Sequence, residues 1–212
     1  MQRVVLIGGG GHCASVIDAV RSAGTSHIVG VVDSRPREGE GVLGVPIVGC
    51  DDDLPDLKAG GADSFIVTLG SVGDASDRER LHQLAVKAGL EPLTVIHAAA
   101  HVSPEASLEP GVFVGALSYV GPCSVIGEGA IINSGAIVDH DCVVGAFAHV
   151  APGAVLSGGV RVGRAAHVGT GACVKQGIGI GERAVVGIGS VVVHDIRSHA
   201  TAFGNPCREV VS

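Results

Sequence analysis

The chain has no tryptophan, one tyrosine and four phenylalanines, yet 46% of its 212 residues are hydrophobic. A core without large rings must be assembled from Val, Ile, Leu and Ala, which suits a narrow, regular interior better than an irregular globule. Basic residues are also few, 14 Lys and Arg against 21 Asp and Glu, for a formal net charge of -7. That balance excludes nucleic acid as a partner, because phosphate binding needs a basic surface. No basic amphipathic stretch marks a membrane surface, and membrane insertion is not expected. Long apolar runs are missing too. The run Val4 to Ile7 is too short for a signal-peptide core or a membrane span, so the expected location is the cytoplasm. The six cysteines, at positions 13, 50, 123, 142, 173 and 207, form no C-x-x-C pair. They are expected to be free thiols, and no metal is expected.

What the chain has is glycine, 34 residues of it, and a repeat. From Val102 to Val186 every sixth residue is Val, Ile or Leu, and the residue four further on, from Ala106 to Ser190, is nearly always small. A period of six is neither helix nor simple alternating strand. It describes a short strand and a turn, with the aliphatic side chain inward and the small one at the bend. Three such faces close a coil of eighteen residues, and coils stack at the spacing of adjacent strands, about 4.8 Å. The expected fold class is therefore a parallel β-helix over 97–212, with a short tail at its end.

Before residue 97 the period is absent. Arg3–Ile7 reads as a buried strand running into Gly8-Gly9-Gly10-Gly11-His12, followed by a helix from Cys13 to Ala23. Further strands are expected at Ile28–Val32 and Phe65–Leu69, and a second helix over Ser76–Ala88. This is a small Rossmann-like α/β domain, residues 1–96. Ligands of such sheets sit at the carboxyl ends of the strands. The candidates there are Gly10, Gly11 and His12, then Asp33, then Gly70 and Ser71. Three readings of the glycine loop stand side by side. A dinucleotide fingerprint lacks its third glycine, since Cys13 occupies that place. A nucleotide-sugar site would use the glycines and the helix N-terminus against an anion. A bare strand-to-helix turn explains the glycines but not the histidine.

His27 and His82 are expected at the surface, and His97 and His101 near the domain junction. The informative stretch is Asn133 to Cys142. The six-residue frame turns Val138 and Cys142 inward and His140 and Asp141 outward. One coil further on, Gly158 and Gly159 leave the wall bare beside the histidine. Either a thin ligand lies there or the glycines form an ordinary turn. A base titrating near neutrality can take the proton that an attacking nucleophile sheds. Asp141 can orient the imidazole only if the two residues sit at a bend, since neighbours on a flat strand face opposite ways.

The period-six pattern resembles the hexapeptide-repeat acyltransferases, and this resemblance implies a left-handed β-helix. The Gly-rich loop ending in Gly-His, an Asp after the second strand and the C-terminal repeat together resemble the PglD/NeuD-type sugar acetyltransferases. That resemblance implies acetyl-CoA as co-substrate, a nucleotide-linked amino sugar as acceptor, and a homotrimer with sites between neighbouring β-helices. It implies His140 as general base with Asp141 beside it, where Glu is frequent, and a catalytic role for Asn133. It places His149, Gly158, Thr170, Gly187 and Ile188 against the cofactor, with the closing Gly204-Asn205-Pro206 nearby. The leading expectation is N-acetylation of a nucleotide-linked 4-amino-4,6-dideoxy sugar. O-acetylation of a sialic acid or related sugar is the nearer alternative. A carbonic-anhydrase-type zinc lyase, using His140, His149 and His167, is the more distant one.

Overall fold

The fold of the repeat follows from register. In the computed structural model, which describes residues 1–34 and 41–210, Ile137 pairs with Val155 and Val138 with Leu156, both in parallel. The same step of eighteen joins Ile131 to His149 and Val143 to Arg161. Each strand is only two residues long, and its amides bond to the coil above, as Ile137 N–H does to the Ala154 carbonyl at 2.8 Å. Three sheets result. The first face carries Phe113–Val114, Ile131–Ile132, His149–Val150, His167–Val168 and Val185–Val186. The second carries Tyr119–Val120, Ile137–Val138, Val155–Leu156 and Cys173–Val174, and the third Val125–Ile126, Val143–Val144 and Arg161–Val162.

The core is the predicted one. From Val114 to Val186 every aliphatic residue of the series is buried, with Ala130, Ala136, Cys142, Ala148 and Ala154 filling the corners. Only the first two members, Val102 and Leu108, are partly exposed, because no further coil covers them. At each corner one residue adopts a left-handed conformation. It is glycine at several corners, but Leu117, Cys123, Asp141, Phe147, Ala165 and Arg183 also take φ of 54 to 59°. Such a conformation costs a non-glycine residue about 1 kcal/mol or more, held in place by the ladders on either side. The chain ends in a hairpin, Thr201–Gly204 against Cys207–Glu209, whose turn holds the cis peptide Asn205-Pro206.

Contacts divide the chain into two units. One comprises Met1–Gly70 with Ser76–Ala98, the other Ser71–Ala75 with Ala99–Ser212. The first unit has strands β1 (Gln2–Ile7), β2 (Ser26–Val32), β3 (Gly41–Val42), β4 (Val45–Gly49), β5 (Ser64–Val67) and β6 (Glu91–Pro92), in the order β3-β4-β2-β1-β5-β6. Only β3 is antiparallel to its neighbour. Helices α1 (Gly11–Ala23), α2 (Leu54–Ala59) and α3 (Ser76–Lys87) complete it. The order reverses at β1, so the crevice beyond β1 and β5 is the switch point where such sheets bind ligands. The β3–β4 hairpin was not expected from the sequence. Its turn places Leu43 at φ 48° and Gly44 at φ 76°, a geometry usually announced by Asn-Gly rather than Leu-Gly.

His82 corrects a surface assignment. It is 5% exposed and meets the Phe65 ring edge-on, with centroids 5.1 Å apart. The buried face of α3 is Arg78, Leu81, His82 and Ala85, a helical stripe in which two polar residues occupy core positions and so hide the hydrophobic period.

Candidate active site

The strand Ile137–Val138 belongs to the second face and Val143–Val144 to the third, so Asp139 to Cys142 turns the corner between them. His140 and Asp141 stand at that corner, their side chains 57% and 64% exposed, while Val138 and Cys142 are buried. Asp141 has φ 58°, and this bend swings its carboxylate beside the preceding side chain. His140 Nδ1 lies 2.7 Å from Asp141 Oδ2. The imidazole thus donates through Nδ1 to the carboxylate. Its pKa is raised above the ordinary value, first by that hydrogen bond and then by the charge of Asp139. Asp139 also accepts the His140 backbone N–H at 2.8 Å.

Nε2 faces the next coil. A Cβ built on Gly158 would lie 2.5 Å from both His140 Nε2 and Cε1, so any side chain there would displace the ring. Gly159, in contrast, has open space about it and a φ of +70°. The first glycine makes room for the imidazole, and the second serves the turn.

A second cluster sits at the corner between the first and second faces. Asn133 Oδ1 accepts the Ser134 N–H at 2.8 Å, which turns its amide nitrogen toward His149 Nε2, 3.1 Å away. His149 Nδ1 then donates to the Ser71 carbonyl at 2.9 Å. His149 is 7% exposed and meets His167 edge-on at 5.0 Å between centroids. Thr170 and Ile188 fall on this same corner one coil apart, both exposed, with the Gly189 N–H donating to the Thr170 carbonyl. Gly187 is shut against Phe203, whose Cβ would lie 2.8 Å from an added Cβ. Within one chain, then, the predicted residues form two groups: His140, Asp141 and Gly158 at one corner of the second face, and Asn133, His149, Thr170, Gly187 and Ile188 at the other.

In the first unit β1 leads into Gly8, at φ +111° and pressed against Leu69. The Gly9 N–H donates to Asp33 Oδ2 at 2.6 Å, so Asp33 braces the glycine loop. Added Cβ atoms on Gly10 and Gly11 would meet nothing within 4 Å, and α1 starts there with no side-chain cap. The backbone amides at this helix start are open to an anion. His12 packs its Cβ near Gly70. Burial, with the cation of Arg78 nearby, pushes its pKa down to about 4. Cys13, at the missing third glycine, is fully buried and lies beside the Thr68 hydroxyl. A cleft of about 250 Å³ opens beside the loop, lined by Gly8, Asp33, Ser34, Asp51 and Arg80 among others.

One residue escaped the sequence reading. Arg78 is 2% exposed, and burial lowers its pKa only to about 10, so it remains a buried cation. Its place on the inner stripe of α3, three residues before Leu81, was the available signal. Ser71, an expected ligand contact, has its carbonyl bonded to His149. The zinc arrangement fails on donors, because both ring nitrogens of His149 are already engaged by Asn133 and Ser71. Among the described residues no group of three or more His, Cys, Asp or Glu is placed to hold a metal ion.

Comparisons bear on these sites. Residues 3–84 match the family described as the PglD N-terminal domain. A perosamine N-acetyltransferase from Caulobacter crescentus, crystallised as a variant with one histidine replaced by asparagine and in complex with CoA and GDP-perosamine, shares 40% identity, with 100% of this chain and 98% of that one covered and a TM-score of 0.95. The acetyltransferase domain of PglB from Neisseria gonorrhoeae, in complex with acetyl coenzyme A, shares 34% identity over 99% of each chain, TM-score 0.89. WeeI from Acinetobacter baumannii shares 25% identity over 99% of this chain and all of that one, TM-score 0.86. Comparison with curated proteins gave no match.

Proposed function

The chain belongs to the PglD-type sugar acetyltransferases, hexapeptide-repeat enzymes built on a left-handed β-helix, and from that premise we propose that it moves the acetyl group of acetyl-CoA onto the amine of a nucleotide-linked 4-amino-4,6-dideoxy sugar. The observation that carries this reading is the outward His140, braced at Nδ1 by Asp141 and facing the bare position of Gly158 through Nε2.

Acetyl-CoA supplies an activated thioester. The chain's residues manage the proton and the charge. His140 Nε2 receives the proton that the attacking amine sheds as its bond to the acetyl carbon forms. Asp141 fixes the tautomer and stabilises the imidazolium that results. The ladder engages the N–H groups of Ser157 and Gly159. The Gly158 N–H between them is the proposed donor to the oxyanion of the tetrahedral intermediate. The glycine loop, His12, Asp33, Gly70 and Ser71 hold the nucleotide sugar in this reading, and the corner bearing His149, Thr170, Gly187 and Ile188 lies along coenzyme A.

Assembly as a homotrimer belongs to the same proposal. It is supported by the separation of the two groups at opposite corners of one face, and by Val125, Ile137 and Val143, which stand about 40% exposed on the second and third faces. Action in the cytoplasm is likewise part of the proposal; no helix of the described residues is long and apolar enough to cross a membrane.

The test is release of free thiol from acetyl-CoA with a panel of GDP-, UDP- and dTDP-linked 4-amino-4,6-dideoxy sugars and their 4-hydroxy counterparts. Turnover is expected with an amine, GDP-perosamine being the first to try, and His140→Ala should lower kcat by about a hundredfold or more. Activity on the hydroxyl sugars alone would leave O-acetylation in its place, and no turnover with any of them would remove the reading.

A further inference from the structure

Two buried side chains hold the corners that carry the site. At Ala130, Ala136 and Ala148 the corner is closed by its own backbone, the alanine N–H donating to the carbonyl three residues before it at 3.0 to 3.1 Å. The corner that bears His140 and Asp141 is closed differently. Ser124, fully buried one coil before Cys142, puts its hydroxyl into the turn. It accepts the Cys142 N–H at 3.1 Å and donates to the Asp139 carbonyl at 2.7 Å. An amide can only donate here and a carbonyl can only accept, so the place of the hydroxyl proton is assigned. Asp139 and Cys142 are the two ends of this turn, and His140 and Asp141 are its middle.

The same step recurs one coil on. Cys142, also fully buried, donates through Sγ to the Ser157 carbonyl at 3.3 Å. Burial raises the pKa of this thiol, so it keeps the proton it donates. Each of the two bonds spans fifteen residues of sequence and holds a carbonyl from inside the β-helix. A trans peptide is planar, so its N–H points away from its C=O. Holding the Asp139 carbonyl inward turns the His140 N–H outward, where Asp139 Oδ1 accepts it at 2.8 Å. Holding the Ser157 carbonyl inward turns the Gly158 N–H outward in the same way, onto the side that carries the imidazole.

We propose that Ser124 and Cys142 are positioning residues for the acyl transfer: Ser124 sets the span of the corner that pairs His140 with Asp141, and Cys142 sets the peptide whose N–H meets the oxyanion. This rests on the proposed function, in which His140 is the base and the Gly158 N–H is the donor. Both side chains lie inside the β-helix and act through the backbone they hold. Without the hydroxyl the corner can close directly, as at Ala136, which draws its ends together and rotates the two residues between them. A buried serine does not have this role at every corner. The Ser118 hydroxyl donates within its own coil, to the Gly115 carbonyl at 2.6 Å.

Alanine fills the equivalent place at neighbouring corners, so Ser124→Ala and Cys142→Ala preserve the shape of the core, and Ser118→Ala is the control. Three readouts apply to the full-length protein: ring ¹⁵N shifts of His140, the backbone amide resonance of Gly158, and kcat with both Michaelis constants. In wild type the neutral His140 ring should carry its proton on Nδ1. Ser124→Ala should move that proton toward Nε2, the form free imidazole prefers in water. It should also lower kcat about tenfold, the scale of one lost hydrogen bond, with both KM values steady. Cys142→Ala should shift the Gly158 amide and lower kcat by a similar factor, with the His140 tautomer as in wild type. Cys142→Ser, which keeps a donor, should restore both. Ser118→Ala should match wild type throughout. An unmoved tautomer in Ser124→Ala, a Cys142→Ser variant no better than Cys142→Ala, or the same losses in Ser118→Ala would overturn the assignment. Should wild type turn over none of the sugars, the functional reading falls, and the His140 tautomer and the Gly158 resonance still decide whether the two side chains hold these corners.

Discussion

His140 and Asp141 are neighbours in the chain, yet Nδ1 of the first and Oδ2 of the second lie 2.7 Å apart. On a strand they would point to opposite faces. The left-handed φ of Asp141 at the corner is what brings them together. Asp141→Asn is therefore an informative change, since Asn tolerates this backbone region and keeps a side chain of the same size. It removes the charge that helps to raise the His140 pKa. The acid-side inflection of kcat/KM should move to lower pH, because the free base then persists further down, while the plateau falls by about tenfold or more as the base weakens. A pH–rate profile with an unmoved inflection would show that Asp141 does not set the basicity of His140.

Gly158→Ala tests the space rather than the charge. The Gly158 backbone does not need a positive φ, so alanine is acceptable to the chain, but its methyl would lie 2.5 Å from the imidazole. The ring must move away from the place where it acts. A loss of kcat of about a hundredfold is expected, with the thermal midpoint within a few degrees of wild type. Full activity in this variant would mean that the imidazole works from another rotamer.

His12 makes the first unit sensitive to acid. Its folded pKa, about 4, lies below the ordinary 6.5. A base with a depressed pKa favours the neutral folded state, so its contribution is fully present above pH 6.5. It is lost as the pH falls through 6.5 toward 4, where the unfolded chain takes up a proton that the folded one refuses. The decline should amount to no more than about 3 kcal/mol across that window. Urea denaturation of wild type and His12→Asn at pH 7 and pH 5 checks it, and the gap between the two pH values should narrow in the variant. Equal gaps would place the acid sensitivity elsewhere.

The residues differ in how openly the sequence declares them. The outward direction of His140 was legible because the series from Val102 fixes which positions point in. The opposition of His140 and Gly158 was legible because the coils repeat every eighteen residues, so a contact in space is a constant step in sequence. The Rossmann-like strands β1, β2 and β5 were legible from their apolar runs, although β5 ends at Val67, short of the expected Leu69. Arg78 and His82 were not legible, because they are polar residues on an inner helix face.

By itself the sequence determined the winding of the β-helix, its core and the display of His140 at a corner, since each is set by short-range periodicity repeated many times. The tertiary structure alone decided that Asp33 braces the Gly9 amide and that His149 is bonded to a carbonyl 78 residues away. Those contacts join segments with no common period. Their partners are chosen by the packing of the folded chain, and no local pattern of residues carries that information.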